Sequence, residues 1–186
     1  METIEELIYN ASNDMFNPEH NFNIAKEYEA IGQTAAAMSF YLRTAEYGFD
    51  SHPSLVYASL IRISYCVADQ SGREHTLENS LFQAIQYMPN RPEAYFVLSR
   101  YYERSQKWQE CYMFAELGLL HTNRLEPLPV DVEYYGKYCL EFEKGVSAWW
   151  LGRKDESLII FNNLINENIS EGYKSAIQYN LSFFNS

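Results

Sequence analysis

Proline and glycine are scarce in this chain of 186 residues, with six prolines and eight glycines. That is too few for a disordered chain or for an all-β protein built on many turns. Cysteine is scarcer still. Cys66, Cys111 and Cys139 are odd in number and widely spaced, which fits reduced thiols and argues against a disulfide framework. Positive charge is short as well: 14 Lys and Arg stand against 25 Asp and Glu, a net charge of −11. Such a chain repels phosphate backbones, so no nucleic-acid partner is expected. No apolar run approaches the roughly 20 residues that a membrane span needs. The opening Met1-Glu2-Thr3-Ile4-Glu5-Glu6 has no basic stretch followed by an apolar core, so no secretory signal and no membrane association are expected, and the expected location is cytoplasmic.

Chemistry-bearing patterns are missing too. There is no glycine-rich phosphate loop, no Gly-x-Ser-x-Gly elbow and no Cys-x-x-Cys. His20, His52, His75 and His121 each lack a second ligand at metal spacing. Glu141 and Glu143 lie two apart on a helix, on different faces, and read as solvated carboxylates rather than an acid/base pair. The expectation is a protein that is not an enzyme and takes no cofactor or metal.

What is abundant is aromatic: sixteen Tyr, eleven Phe and three Trp within 47% hydrophobic residues. Rings in that number need a core or a contact surface. Length and hydrophobic content point to one domain over 1–186. Pro18, Pro53 and Pro92 each stand where a helix should begin, 35 and 39 residues apart, near the tetratricopeptide period of about 34. Between them apolar residues recur at three and four, not two. The pattern predicts helical hairpins at 18–31 with 34–48, 53–69 with 74–88, 92–105 with 108–119, and 134–151 with 154–166. It leaves 1–17 as an N-terminal extension, 121–133 as a long connection, and 170–184 as a capping helix with Ile177, Leu181 and Phe184 on one stripe. The expected fold is all-α: an α-α superhelix, a tetratricopeptide-like solenoid of about four hairpins plus the cap.

Overlaid, the hairpins repeat small residues where helices approach and large ones beside them. The first supplies Ala25, Gly32 and Ala37, the third Ser99 and Ala115, the fourth Ala148 and Ser157. More particular stretches are Asn21-Phe22-Asn23-Ile24-Ala25-Lys26, Gly32-Gln33-Thr34-Ala35-Ala36-Ala37, Arg91-Pro92-Glu93-Ala94-Tyr95 and Ala148-Trp149-Trp150-Leu151-Gly152-Arg153. With the closing Tyr179-Asn180-Leu181-Ser182-Phe183, these resemble the tetratricopeptide regions associated with family 2 glycosyltransferases of bacteria and large phages. The chain departs from them at Thr44 and Cys111, where the repeats usually carry Ala. It also lacks the nucleotide-sugar domain, so transferase activity does not carry over. The resemblance implies a context, an accessory of glycan synthesis acting with a separate glycosyltransferase.

In repeats of this kind, set positions of each first helix line the inner groove. One such position holds Lys26, Arg62 and Arg100 in three successive hairpins, with Arg104 a turn beyond Arg100. A basic row in an acidic chain would attract an acidic peptide segment, a carboxylate or a phosphate. Phe22, Tyr65 and Phe96 would stand beside it. The plainer alternative is ordinary helix-surface pairing, Lys26 with Glu29 and Arg100 with Glu103. A chaperone-type carboxylate clamp is absent, because Phe22 and Lys26 stand where it needs Lys and Asn. Of the adjacent Trp149 and Trp150, one can enter the core while the other faces groove or solvent; Trp149 joins the candidate contacts. The leading expectation is a non-catalytic module holding a protein or peptide in its groove. Self-association through the aromatic helix at 134–151 stays open.

Overall fold

The computed structural model describes residues 4–122 and 126–185. Among the described residues are ten α-helices, a closing 3-10 turn (Phe183–Asn185) and no strand. The helices are α1 (Ile4–Ser12), α2 (Pro18–Ala30), α3 (Thr34–Tyr47), α4 (Pro53–Val67), α5 (Glu74–Tyr87), α6 (Glu93–Arg104), α7 (Trp108–Leu119), α8 (Lys137–Trp150), α9 (Lys154–Leu164) and α10 (Glu171–Ser182). None is long and apolar enough to cross a membrane. The chain divides into two compact units, Met1–Pro89 with Leu125–Val132, and Asn90–Arg124 with Glu133–Ser186.

The N-terminal unit stacks α1 on α2, α2 on α3, α3 on α4 and α4 on α5. Its helix starts are written in the sequence. Asn17 caps α2 by accepting from the Glu19 and His20 amides at 2.9 and 3.2 Å, and Pro18 occupies the first turn, where its missing N–H costs nothing. The α2–α3 turn needs a left-handed residue, supplied by Gly32 at φ +75°; the amides of Gly32 and Gln33 then reach back to Glu29 and Tyr28. Ala25, Ala37, Tyr41 and Tyr57 are all fully buried, so small and large repeat residues alike lie in the core. Thr44, in place of the usual Ala, donates its buried hydroxyl to the Phe40 carbonyl at 3.0 Å, so the extra oxygen is satisfied. Residues 4–12 form a helix within the stretch read as an extension. Leu7 and Ala11, one turn apart, pack on Ile24, Tyr28 and Phe40.

The C-terminal unit joins α6 to α7, α7 to α8, α8 to α9 and α9 to α10, with α6 also touching α8. The α6–α7 turn repeats the geometry of the first hairpin with Gln106 in the left-handed conformation at φ 57°. Glycine sets the helix contacts. A Cβ at Gly118 would lie 2.9 Å from Leu140 and Tyr95, and one at Gly145 would lie 2.9 Å from Phe161. Ser157 ties α9 to α8 through the Gly145 carbonyl at 2.7 Å. Helix α8 starts three residues later than the apolar pattern implied, because Gly136 at φ +143° interrupts the backbone. Ile177 of α10 is fully buried against Phe161, Leu164 and Ile169, with Leu181 and Phe184 packed alongside. The closing stripe thus covers the α8–α9 core.

Candidate functional site

In the N-terminal unit, α2 and α4 present their inner side chains to one face. Arg62 holds the Glu29 carboxylate with two nitrogens, Nε at 3.0 Å from Oε2, and donates a third hydrogen bond to the Asp131 carbonyl at 3.1 Å. Both charged side chains are more than four-fifths buried. The Tyr41 hydroxyl donates to Glu29 at 2.7 Å. Burial first, and that carboxylate second, push the Tyr41 phenol well above its usual range. The Arg62 guanidinium lies 4.6 Å from the centre of the Tyr65 ring, and the Tyr65 hydroxyl donates to the Val132 carbonyl at 3.0 Å. Val132 is buried. The segment ending at Val132 therefore lies on this face, its backbone held by Arg62 and Tyr65. Pro129 lines a pocket of about 360 Å³ with Phe22, Lys26, His52 and Leu55.

In the C-terminal unit, Arg100 pairs with Glu133 and lies 5.8 Å from the Phe96 ring centre. The expected pairs within one helix surface are replaced by distant ones in both units, because Glu29 goes to Arg62 and Arg100 goes to Glu133. Arg104 is exposed, one turn along α6. A pocket of about 450 Å³ opens here, lined by Arg100, Glu103 and Arg104 of α6, Phe142 and Glu143 of α8, and Tyr173 of α10. Glu143 corrects the expectation of a solvated carboxylate. It is only 4% exposed and its Oε2 has no hydrogen-bond partner. Burial first, and the Glu103 charge second, push its carboxyl up to about 8, against the opposing pull of Arg100 and Arg104. Burial also raises Glu103.

The aromatic members of the expected site divide. Phe22 and Phe96 are buried, so they buttress the cations from beneath rather than stand free: Lys26 lies over Phe22 at 5.7 Å as Arg100 lies over Phe96. Tyr65 uses its hydroxyl on the chain itself. Trp149 is half-buried against Phe184, ring centres 4.5 Å apart, while the exposed ring is Trp150, stacked on Trp108 at 5.1 Å. The three cysteines are free and buried. Burial lifts Cys66 to about 12, with Cys111 and Cys139 raised for the same reason, so all three are protonated, unreactive thiols at neutral pH. Cys111, the other departure from Ala, points its thiol at the Glu143 carbonyl at 3.6 Å. Among the described residues no group of three or more His, Cys, Asp or Glu could hold a metal ion.

Residues 126–132, Glu29 and Glu143 were not singled out as site residues. A signal for Glu143 was present: it stands three and four residues from Leu140 and Cys139, on the buried stripe of α8.

No family model matches the chain, and no curated protein matches it in sequence. Solved structures do match its fold. Two crystal structures of MamA, a tetratricopeptide-like protein, superpose with TM-scores of 0.66 and 0.65 at 15% identity, covering 87% of this chain and 84% and 79% of theirs. The fold is tetratricopeptide-like and all-helical. Neither match carries a link to glycosyltransferases.

Proposed function

We propose that this chain is a non-catalytic interaction module that holds a protein partner on the inner faces of its helices. Lys26, Arg62 and Tyr65 are the contacts of the N-terminal unit, and Arg100 and Arg104 those of the C-terminal unit. The scaffold part of this reading is supported by the MamA-like fold. The observation that carries the rest is the hold of Arg62 and Tyr65 on the carbonyls of Asp131 and Val132. Carbonyls recur along any extended peptide, so side chains that grip them bind a backbone with little demand on its sequence. Selectivity would come from the neighbouring pocket walled by Phe22, Lys26, Leu55 and Pro129.

The expected preference for an acidic segment is narrowed by the ion pairs. Arg62 and Arg100 spend their charge on Glu29 and Glu133, which leaves Lys26 and Arg104 as the cations to meet a partner's carboxylate. Affinity capture with the tagged chain tests the module. Partners recovered by the native chain should fall at least tenfold with Tyr65→Phe, which removes one hydroxyl and leaves the ring. Equal recovery by both would remove the α2–α4 face from the reading.

The narrower role beside glycan synthesis rests on the sequence resemblance alone. Co-purification with a transferase encoded next to this chain would support it. Self-association through the aromatic helix α8 would use its exposed Trp150 ring, and light scattering reads it directly.

A further inference from the structure

The C-terminal unit carries an acid that its own fold leaves unsatisfied. Glu143 is buried in the wall of the α6–α8–α10 pocket with Oε2 lacking any hydrogen-bond partner. A carboxylate wants donors, and a buried one without them is costly to a fold unless something else supplies them. Beside it in the same lining is the half-buried Glu103, whose charge helps Glu143 keep its proton. Two cations share the lining: Arg100, engaged by Glu133, and the exposed Arg104, whose charge acts on both carboxyls. Phe142 and Tyr173 complete the walls, their rings 5.2 Å apart and perpendicular. Such walls suit an alkyl stem and the face of a cation.

We infer that this pocket takes up a primary ammonium group of a partner, with Glu143 and Glu103 accepting its hydrogen bonds. A single ammonium carries three donors, enough to serve both carboxyls, and its charge favours the deprotonated form of Glu143. The pocket, of about 450 Å³, has room for a side chain bearing such a group. The inference names the chemistry of the partner in the reading above and rests on that reading for its biological sense. Its test needs no partner.

Two probes separate the sources of the group: Nα-acetyl-lysine methylamide for a side-chain ammonium and alaninamide for a chain terminus, with butyrate as the opposite charge. Each is titrated into the full ¹⁵N-labelled chain. At least one ammonium probe should shift the amides of Glu143, Gly172, Tyr173 and Ala176 saturably. Glu143→Gln, nearly isosteric and free of the buried charge, should weaken that binding tenfold or more, and Glu103→Gln severalfold. The charged groups facing Glu143 are Glu103, Arg100 and Arg104 on α6, with Cys111 of α7, Cys139 on its own helix and Tyr173 of α10 around it. Binding of Nα-acetyl-lysine methylamide, whose ammonium keeps its charge, should tighten by about tenfold from pH 6 to 8 as Glu143 loses its proton, and Glu143→Gln should flatten that rise. Saturable binding of butyrate in place of either amine, no saturable shift from any probe, or equal binding by Glu143→Gln overturns the inference. Loss of captured partners with the ammonium shifts intact would instead strike the interaction reading and spare the pocket.

Discussion

Arg62 and Arg100 fill the same position in successive hairpins, and each grips a carboxylate 33 residues away: Glu29 behind, Glu133 ahead. The two units finish the arrangement differently. In the N-terminal unit the buried acid is Glu29, which receives Arg62 through both oxygens and Tyr41 as well. In the C-terminal unit Arg91 holds the buried Glu93, but the acid that Arg100 holds, Glu133, is 44% exposed, and Glu143, buried in the same pocket lining, lacks a partner for Oε2. The same repeat position thus serves structure in one unit and stands beside an unmet demand in the other. A satisfied buried acid fixes a fold, whereas an unsatisfied one marks a place where a ligand would contribute.

Breaking the pairs should give the largest contrast. Glu29→Ala leaves Arg62 and Tyr41 buried without their acceptor and should cost about 4 kcal/mol in urea unfolding. Glu133→Ala, at the exposed pair, should cost less than about 1 kcal/mol. Equal costs would erase the distinction between the units.

Next comes pH. The fold holds the Glu143 proton up to about pH 8, while an unfolded glutamate releases it near 4.3. The native state therefore binds more protons between those values, and stability falls as pH rises through that window. Glu143→Gln should abolish that fall, making the variant about 3 kcal/mol more stable than the native chain near pH 7 and nearly equal to it near pH 4. A native chain whose stability does not change from pH 5 to 8 would return Glu143 to the solvated class.

Packing gives a smaller effect. Gly145→Val pushes side-chain atoms into Phe161 and Ile160 and should cost roughly 2 kcal/mol, read from the thermal midpoint. The smallest contrast lies in the caps. Asn17→Ala removes the two hydrogen bonds at the start of α2 and should cost about 1 kcal/mol. Gln33 stands exposed at the start of α3 without a side-chain cap, so Gln33→Ala should leave stability unchanged within the error of the melt.

Much of the fold was legible because it depends on local signals. Asn17-Pro18, Pro53, Gly32 and Gly152 place helix ends within a residue or two, and the three- and four-residue recurrence places the buried stripes. Helix α1 escaped because it has no partner helix in the repeat pattern, and the start of α8 because apolar residues continue through Gly136. The candidate site was legible in its cations and opaque in its acids. A repeat template marks which positions of each first helix face inward, so Lys26, Arg62 and Arg100 could be picked out together. It carries no information on which carboxylate, 33 residues off, will meet them.

The sequence by itself determined the helical hairpins, the small residues that let them approach and the absence of recognisable catalytic motifs, since each follows from neighbours within a turn or two. Only the tertiary structure decided that Asp131 and Val132 lie against Arg62 and Tyr65, that Phe22 and Phe96 lie beneath their cations, and that Glu143 Oε2 is left without a donor. Those outcomes depend on which distant groups burial brings together and on whether each polar atom finds a partner once water is gone.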